Sequence, residues 1–419
     1  MLRHQAGRNE RGKVTVTDPR RRVSPVTAAT LILFTVLGVT AASHATDWPQ
    51  WRGPSRKGVS AETQWVSRWP AAGPKRLWSR QVGQGFSSVA VFKGRLYTMG
   101  NENGQDTVSC LQAATGKVVW QTRYPAAAGD YGGPRATPTV HGGNVYTLSR
   151  DGLALCLNAA TGKQVWRRDI AREVRATAPG WGFAGSPLIQ GRLVLFNIGR
   201  AGVGLDKTTG RIAWNSGSGT AGYSSPVPFA LGIKQSGVAI FGSDGIVAVN
   251  PSSGSVLWQY PWKTSFDVNA ADPIFAGDTV FISSNYGKGG ALLRFGAGRP
   301  SVVWENRNMR NHFSSSVLVG GALYGNDENT LKCLDLKTGE ERWRMRGMGK
   351  GGLIAAGGKL LALTERGELV VASATPDRFN EIARAKVMDG TCWTHPVLAN
   401  GLLYCRSHEG SLVCLDLRS

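Results

Sequence analysis

Seven residues of this 419-residue chain have side chains suited to holding a ligand together: Arg135, Trp181, Asp272, His312, Lys350, Trp393 and His395. The tryptophans offer apolar contact area, and the two cations would attract an anionic or carbonyl-rich partner. Phe86, Phe183, Tyr223 and Phe313 fall at equivalent places along the chain. This is the chemistry of recognition. No G-x-S-x-G, H-E-x-x-H or Gly-rich phosphate loop is present. No catalytic residue, cofactor ligand or metal ligand is therefore assigned. A run of mostly small polar residues accompanies these larger ones: Ser88, Thr137, Ser186, Ser225, Asp272, Ser315 and His395. They read either as convergent polar groups of a concave ligand mouth or as groups that satisfy backbone around a water-filled channel. His395 likewise reads as a ligand contact or as a satisfied core histidine.

A repeated phrase must position these residues. Residues 157–166 read LNAATGKQVW, ending at Trp166. Related phrases end at Trp120, Trp214, Trp258 and Trp343, with weaker relatives at Trp78 and Trp304. Successive tryptophans lie 42, 46, 48, 44, 46 and 39 residues apart. Self-similarity at such a period marks a repeat architecture. Within residues 136–166, Gly142-Gly143, Asp151-Gly152 (a two-residue hairpin signal) and Thr161-Gly162 divide four short β-rich pieces. Four strands in roughly 40–45 residues describe a propeller blade, and a tryptophan at a fixed place should dock between blades.

The fold class is therefore all-β, an eight-bladed propeller of four-stranded antiparallel blades over residues 75–419. Innermost strands begin near Ser88, Thr137, Ser186, Ser225, Asp272, Ser315, Gly352 and His395. The seventh unit lacks the tryptophan, and the eighth stops after its third strand. The strand LWSRQV at 77–82 should complete that blade and close the ring. Closure leaves only short, protected edges, which suits a monomer.

The G-x-x-Y, D-G and L-D-x-x-T-G-K-x-x-W pattern resembles the pyrroloquinoline-quinone (PQQ) repeat over about residues 75–419. It is similar to the propellers of quinoprotein alcohol dehydrogenases and of BamB, the outer-membrane assembly factor. The lead-in Asp47–Pro54, DWPQWRGP, resembles that of secreted bacterial PQQ-like proteins. The dehydrogenase resemblance would imply an adjacent Cys-Cys pair, a Trp floor, calcium ligands and an Asp base. This chain has no adjacent Cys pair, and Asp272 is the only carboxylate at the strand starts. The expectation is an exported, non-enzymatic propeller that binds or scaffolds a protein or an anionic envelope polymer. The alternative is a diverged PQQ- and calcium-dependent alcohol or sugar dehydrogenase.

Residues 1–45 read as a secretory signal: a basic region, the apolar run 27–42, then Ser43-His44-Ala45 as a small-x-small cleavage site. The run is shorter than the ~20 residues of a membrane span, and an uncleaved anchor is the competing reading. Residues 46–74 are rich in Trp and Pro and should lie across the propeller as an ordered strap, with a binding arm as the rival reading. The chain carries 49 basic and 28 acidic residues, a net charge of +21, and residues 46–419 keep +16. That balance suggests anionic surroundings such as acidic polysaccharide or lipid head groups. No nucleic-acid motif accompanies it. Periplasm or cell envelope is the expected location. Of six cysteines, Cys110, Cys156, Cys333 and Cys414 share one repeat position, as core-packing residues would. A two-residue turn at Glu409-Gly410 would place Cys405 opposite Cys414, within reach of a disulfide.

Overall fold

The computed structural model describes residues 46–126, 129–231, 235–296 and 298–419. The signal segment expected over residues 1–45 lies outside them. Eight four-stranded antiparallel sheets follow one another along the chain and form an eight-bladed propeller. Blade one, for example, comprises Ala90–Phe92, Arg95–Glu102, Gln105–Gln112 and Val118–Pro125. Blade eight takes Val397–Ala399, Leu402–Arg406 and Ser411–Asp416 from the C-terminal end and Lys75–Gln81 from the start of the ring. Lys75–Gln81 runs antiparallel to Ser411–Asp416, with Trp78 opposite Cys414. The ring is thus closed as its sequence requires. Arg406 reinforces the seam: its buried guanidinium donates to Thr98 Oγ1 (2.9 Å), Met99 O (2.6 Å), Gly83 O (2.9 Å) and Ser87 O. Burial without a carboxylate lowers its pKa to about 9.

The T-G-x-x-x-W phrase is explained by contacts between blades. Each of six repeat tryptophans donates its indole N–H to a carbonyl in the next blade: Trp78 to Ala113, Trp120 to Ala159, Trp166 to Lys207, Trp214 to Pro251, Trp304 to Leu336 and Trp343 to Thr375, at 2.8–3.0 Å. For all of these but Trp343, the ring packs against the glycine of the next T-G or S-G turn. A Cβ on Gly162 (φ +72°) would come within 2.6 Å of Trp120, and one on Gly254 (φ +73°) within 2.5 Å of Trp214. Glycine is needed there both for the left-handed backbone and for the close approach. Trp258 packs instead on Phe229 and Phe295. Across each of four blades, a buried cysteine sits between a tyrosine and the tryptophan: Tyr97–Cys110–Trp120, Tyr146–Cys156–Trp166, Tyr324–Cys333–Trp343 and Tyr404–Cys414–Trp78. These cysteines are core residues, and burial raises each thiol's pKa.

Two turn assignments are corrected. Ser407 N–H donates to Ser411 O (2.9 Å), so the last hairpin has a three-residue loop and not the two-residue Glu409-Gly410 turn. The register shifts by one, pairing Cys405 with Val413 and Tyr404 with Cys414. A one-residue shift turns side chains to opposite faces, so Cys405 and Cys414 do not meet. All six cysteines are free. Ser149 N–H to Leu153 O (2.8 Å) makes the Asp151-Gly152 loop three residues long in the same way. Phe183 is also displaced from its expected place at the mouth. It is fully buried in the core between blades two and three.

Residues 46–66 touch every blade. The Trp48 backbone bridges Val91 of blade one, and Pro49 O accepts from Val140 N–H of blade two. The Arg56 guanidinium donates to Ser186 and Pro187 carbonyls of blade three and to Pro226 O of blade four. Trp51 bonds Asp272 before blade five, and Arg52 bonds Ser316 O before blade six. Val59–Ser60 pairs in parallel with Ala355 and Ala356 of blade seven. Glu62 and Val66 reach Gly401 and Leu417 of blade eight. No helix among the described residues is long and apolar enough to cross a membrane.

Candidate functional site

The small polar residues ahead of the innermost strands form a hydrogen-bonded belt. Ser88 N–H donates to Thr137 Oγ1 (3.0 Å), Thr137 N–H to Ser186 Oγ (2.9 Å) and Ser186 N–H to Ser225 Oγ (3.0 Å). Ser225 N–H donates to Asp272 Oδ1 (2.8 Å), Asp272 N–H to Ser315 Oγ (2.9 Å) and Ser315 N–H to His395 Nε2 (3.3 Å). Ser88 Oγ donates to His395 O (2.9 Å) and closes the circle. In five blades the belt residue precedes proline, which holds it extended. Blade seven supplies Gly352, where a Cβ would lie 2.4 Å from His395 Cα. The longer histidine spans that blade. With Nε2 accepting, Nδ1 carries the proton and donates to Leu353 O (2.9 Å). Burial, seconded by the charge of Arg52, lowers the His395 pKa to about 3. His395 is therefore a neutral structural group, and the belt hydroxyls are backbone partners.

Above the belt lies a cavity of about 310 Å³. Arg135, Trp181, Asp272, His312, Lys350 and Trp393 line it, together with Phe86, Tyr223 and Phe313; His395 lies outside it. Its floor was missed by sequence reasoning. Trp51 of the lead-in occupies the channel, donating Nε1–H to Asp272 Oδ2 (2.6 Å) and meeting the His395 ring edge-on at 4.9 Å. Also unforeseen were Tyr131, Phe266 and Tyr286, which sit in loops outside the repeat. They help to form an aromatic collar in which neighbouring rings touch: Trp181–Phe266–Tyr286–His312–Phe313–Trp393–Phe86. Tyr131 joins at Trp393. Tyr131, Phe266 and Tyr286 have φ of +52°, +60° and +55° and are exposed at 58%, 71% and 40%. Bulky residues rarely adopt this backbone, and such strain clusters at functional sites.

Positive charge surrounds the cavity. Arg135 stacks over Phe86 (5.4 Å) and donates to Gly133 O and Tyr131 O, both at 2.9 Å. Burial, then the nearby Arg150, lowers its pKa to about 10. The Lys350 ammonium has no hydrogen bond or ion pair among the described residues. Together with burial, its charge lowers the His312 pKa to about 4, with burial the larger cause. Beneath the floor, Arg52 and Arg56 are both buried. Arg52 Nε lies 3.8 Å from Asp272 Oδ2, and Arg52 Nη1 is buried without a hydrogen bond. Burial pushes the Asp272 carboxyl up, opposed by Arg52 and by the N–H groups of Ser225 and Trp51. Two buried guanidiniums thus face one carboxyl group.

The profile of the PQQ-repeat family described as outer membrane protein assembly factor BamB matches residues 62–137 and 127–345, more than half of the chain. The chain belongs to this BamB-like family. The BamB-like propeller is similar in structure to BamB from Moraxella catarrhalis, at 18% identity and TM-score 0.61, covering 83% of this chain and 98% of that one. It is also similar to a europium-containing methanol dehydrogenase, at 12% identity and TM-score 0.66, covering 88% and 89%. Quinohemoprotein alcohol dehydrogenase from Comamonas testosteroni matches at 14% identity and TM-score 0.65, covering 88% and 80%. These likenesses establish the shared fold. A search of curated proteins gives no match.

The dehydrogenase relatives raise the question of whether a calcium-held quinone fits this BamB-like cavity. Calcium takes six to eight converging oxygens, several of them carboxylate. Asp272 is the one carboxylate among the lining residues, and Trp51 N–H, Ser225 N–H and Arg52 already occupy its oxygens. No three His, Cys, Asp or Glu residues converge among those described. The donor set does not suit the cofactor.

Proposed function

We propose that this BamB-like propeller is a non-catalytic binding protein of the cell envelope, with the mouth cavity as its site. The partner is a protein or an anionic envelope polymer. The observation that carries this reading is the collar: exposed aromatic rings held on strained loops, around a cavity whose lining has two cations, Arg135 and Lys350, and one carboxylate, Asp272. Binding energy concentrates in such aromatic and arginine anchors. The signal-like residues 1–45 and the family's description as an assembly factor of the outer membrane support export to the envelope. The test pairs capture from an envelope extract with dialysis against PQQ and calcium. The reading expects a partner retained by the wild type and lost by Trp393→Ala, and no quinone retention. Stoichiometric PQQ binding with dye reduction by alcohols would establish the dehydrogenase instead.

A further inference from the structure

We propose that the mouth cavity receives a single acidic sugar unit, a pyranose bearing a carboxylate, presented by an envelope polysaccharide. The inference rests on the mouth being the ligand site. Size points first to a ring-sized group: about 310 Å³ is at the low end of ligand pockets, and Trp51 closes the channel below. A long chain cannot thread it.

The walls then select the chemistry. The C–H faces of a pyranose stack on aromatic rings, and the collar presents Trp181, Phe266, Tyr286, Phe313 and Trp393 around the opening. The charged lining groups with spare capacity are donors. Lys350 is unpartnered among the described residues, and the Arg135 guanidinium lines the cavity. The acceptors are consumed: Asp272 by Trp51 and Ser225, and the Ser186 and Ser225 hydroxyls by the belt. The buried Arg52 and Arg56, opposed by Asp272 alone, add positive potential from beneath. A carboxylate answers that arrangement, while a neutral sugar leaves it unanswered.

Peptide capture is disfavoured by the same belt. Extended peptides bind sheets by pairing with free backbone groups. Here the N–H groups of Ser88, Thr137, Ser186, Ser225, Asp272 and Ser315 are already bound by side chains of neighbouring blades. Those six donors are not free for a peptide to pair with.

The experiment titrates the purified protein, followed by calorimetry and tryptophan fluorescence. The probes are trimers of galacturonate, mannuronate and guluronate, their methyl esters, and hexaglutamate. At least one uronate trimer should bind, its ester at least tenfold more weakly, and hexaglutamate more weakly than either. Lys350→Met should abolish most of the preference for acid over ester. Phe266→Gly should weaken acid and ester alike while the melting temperature holds or rises, because glycine relieves the left-handed backbone. That variant separates a binding role from a structural one. Equal affinity for acid and ester, tighter binding of hexaglutamate, or no uronate binding overturns the proposal. Capture of a protein partner that depends on Trp393, without uronate binding, would sink this inference and leave the binding-protein reading standing. Quinone binding with turnover would sink both.

Discussion

Two aromatic systems in one molecule obey opposite rules. Of the seven repeat tryptophans between blades, six are buried, six are hydrogen-bonded to the next blade and five pack on a glycine. The mouth aromatics touch one another, stay partly or largely exposed, and in three cases stand on left-handed backbone. The first set removes strain from the fold, and the second retains it. Periodicity is the signature of residues that serve the scaffold. Departure from it marks residues that serve something outside the chain.

The contrast breaks most severely at the scaffold. Deleting Lys75–Gln81 removes the outer strand of blade eight and exposes the edge of Ser411–Asp416. The protein should unfold or oligomerise, which sedimentation and thermal melting would report. A monomer with an unchanged melting temperature would refute closure. Trp166→Ala comes next, with an expected loss of roughly 3–5 kcal/mol in denaturant unfolding, as for other large core truncations. The rim should behave differently: Trp393→Ala should cost about 1 kcal/mol, in the range of ordinary substitutions.

Belt and mouth also differ in pH response. The folded state holds His395 and His312 neutral, with pKa values lowered to about 3 and about 4. For a base with a depressed folded pKa, the unfolded chain binds the proton first. Stability is therefore full above the unfolded pKa of about 6.5 and declines as pH falls toward 4 and then 3. His395→Gln preserves an acceptor and a donor but cannot titrate, and should flatten this decline. His312→Asn should flatten it less. An unaltered slope in His395→Gln would contradict the structural assignment of the belt. The smallest effect is a count: denatured, non-reduced protein should show six free thiols.

Much of the scaffold was legible because it repeats. Seven tryptophans recur at one place in the repeat, and five of them share one steric fact, an indole on the Cβ-less residue of a T-G or S-G turn, so the blade count and the closing strand follow. Hairpin register was not legible. Glu409-Gly410 and Asp151-Gly152 have the composition of two-residue turns, yet Ser407 and Ser149 pair across three-residue loops. The difference is one backbone hydrogen bond. The mouth was readable where its residues adjoin the strand starts, as with Arg135, Lys350 and Trp393. Trp51 was hidden because its role depends on a segment returning through the ring to Asp272, 221 residues away. Tyr131, Phe266 and Tyr286 belong to loops with no counterpart in other blades. Their positive φ is a property of the folded backbone, and no composition rule signals it for Phe or Tyr.

The central claim is that the mouth binds and the tryptophan docks hold. It is tested most directly by measuring partner capture from envelope extract and melting temperature together, for Trp393→Ala and Trp166→Ala. The account predicts a crossed result: Trp393→Ala loses capture and melts within a few degrees of the wild type, whereas Trp166→Ala melts much lower and, while folded, keeps capture. Full capture by Trp393→Ala alongside lost capture by folded Trp166→Ala would contradict it and place the site on the opposite face.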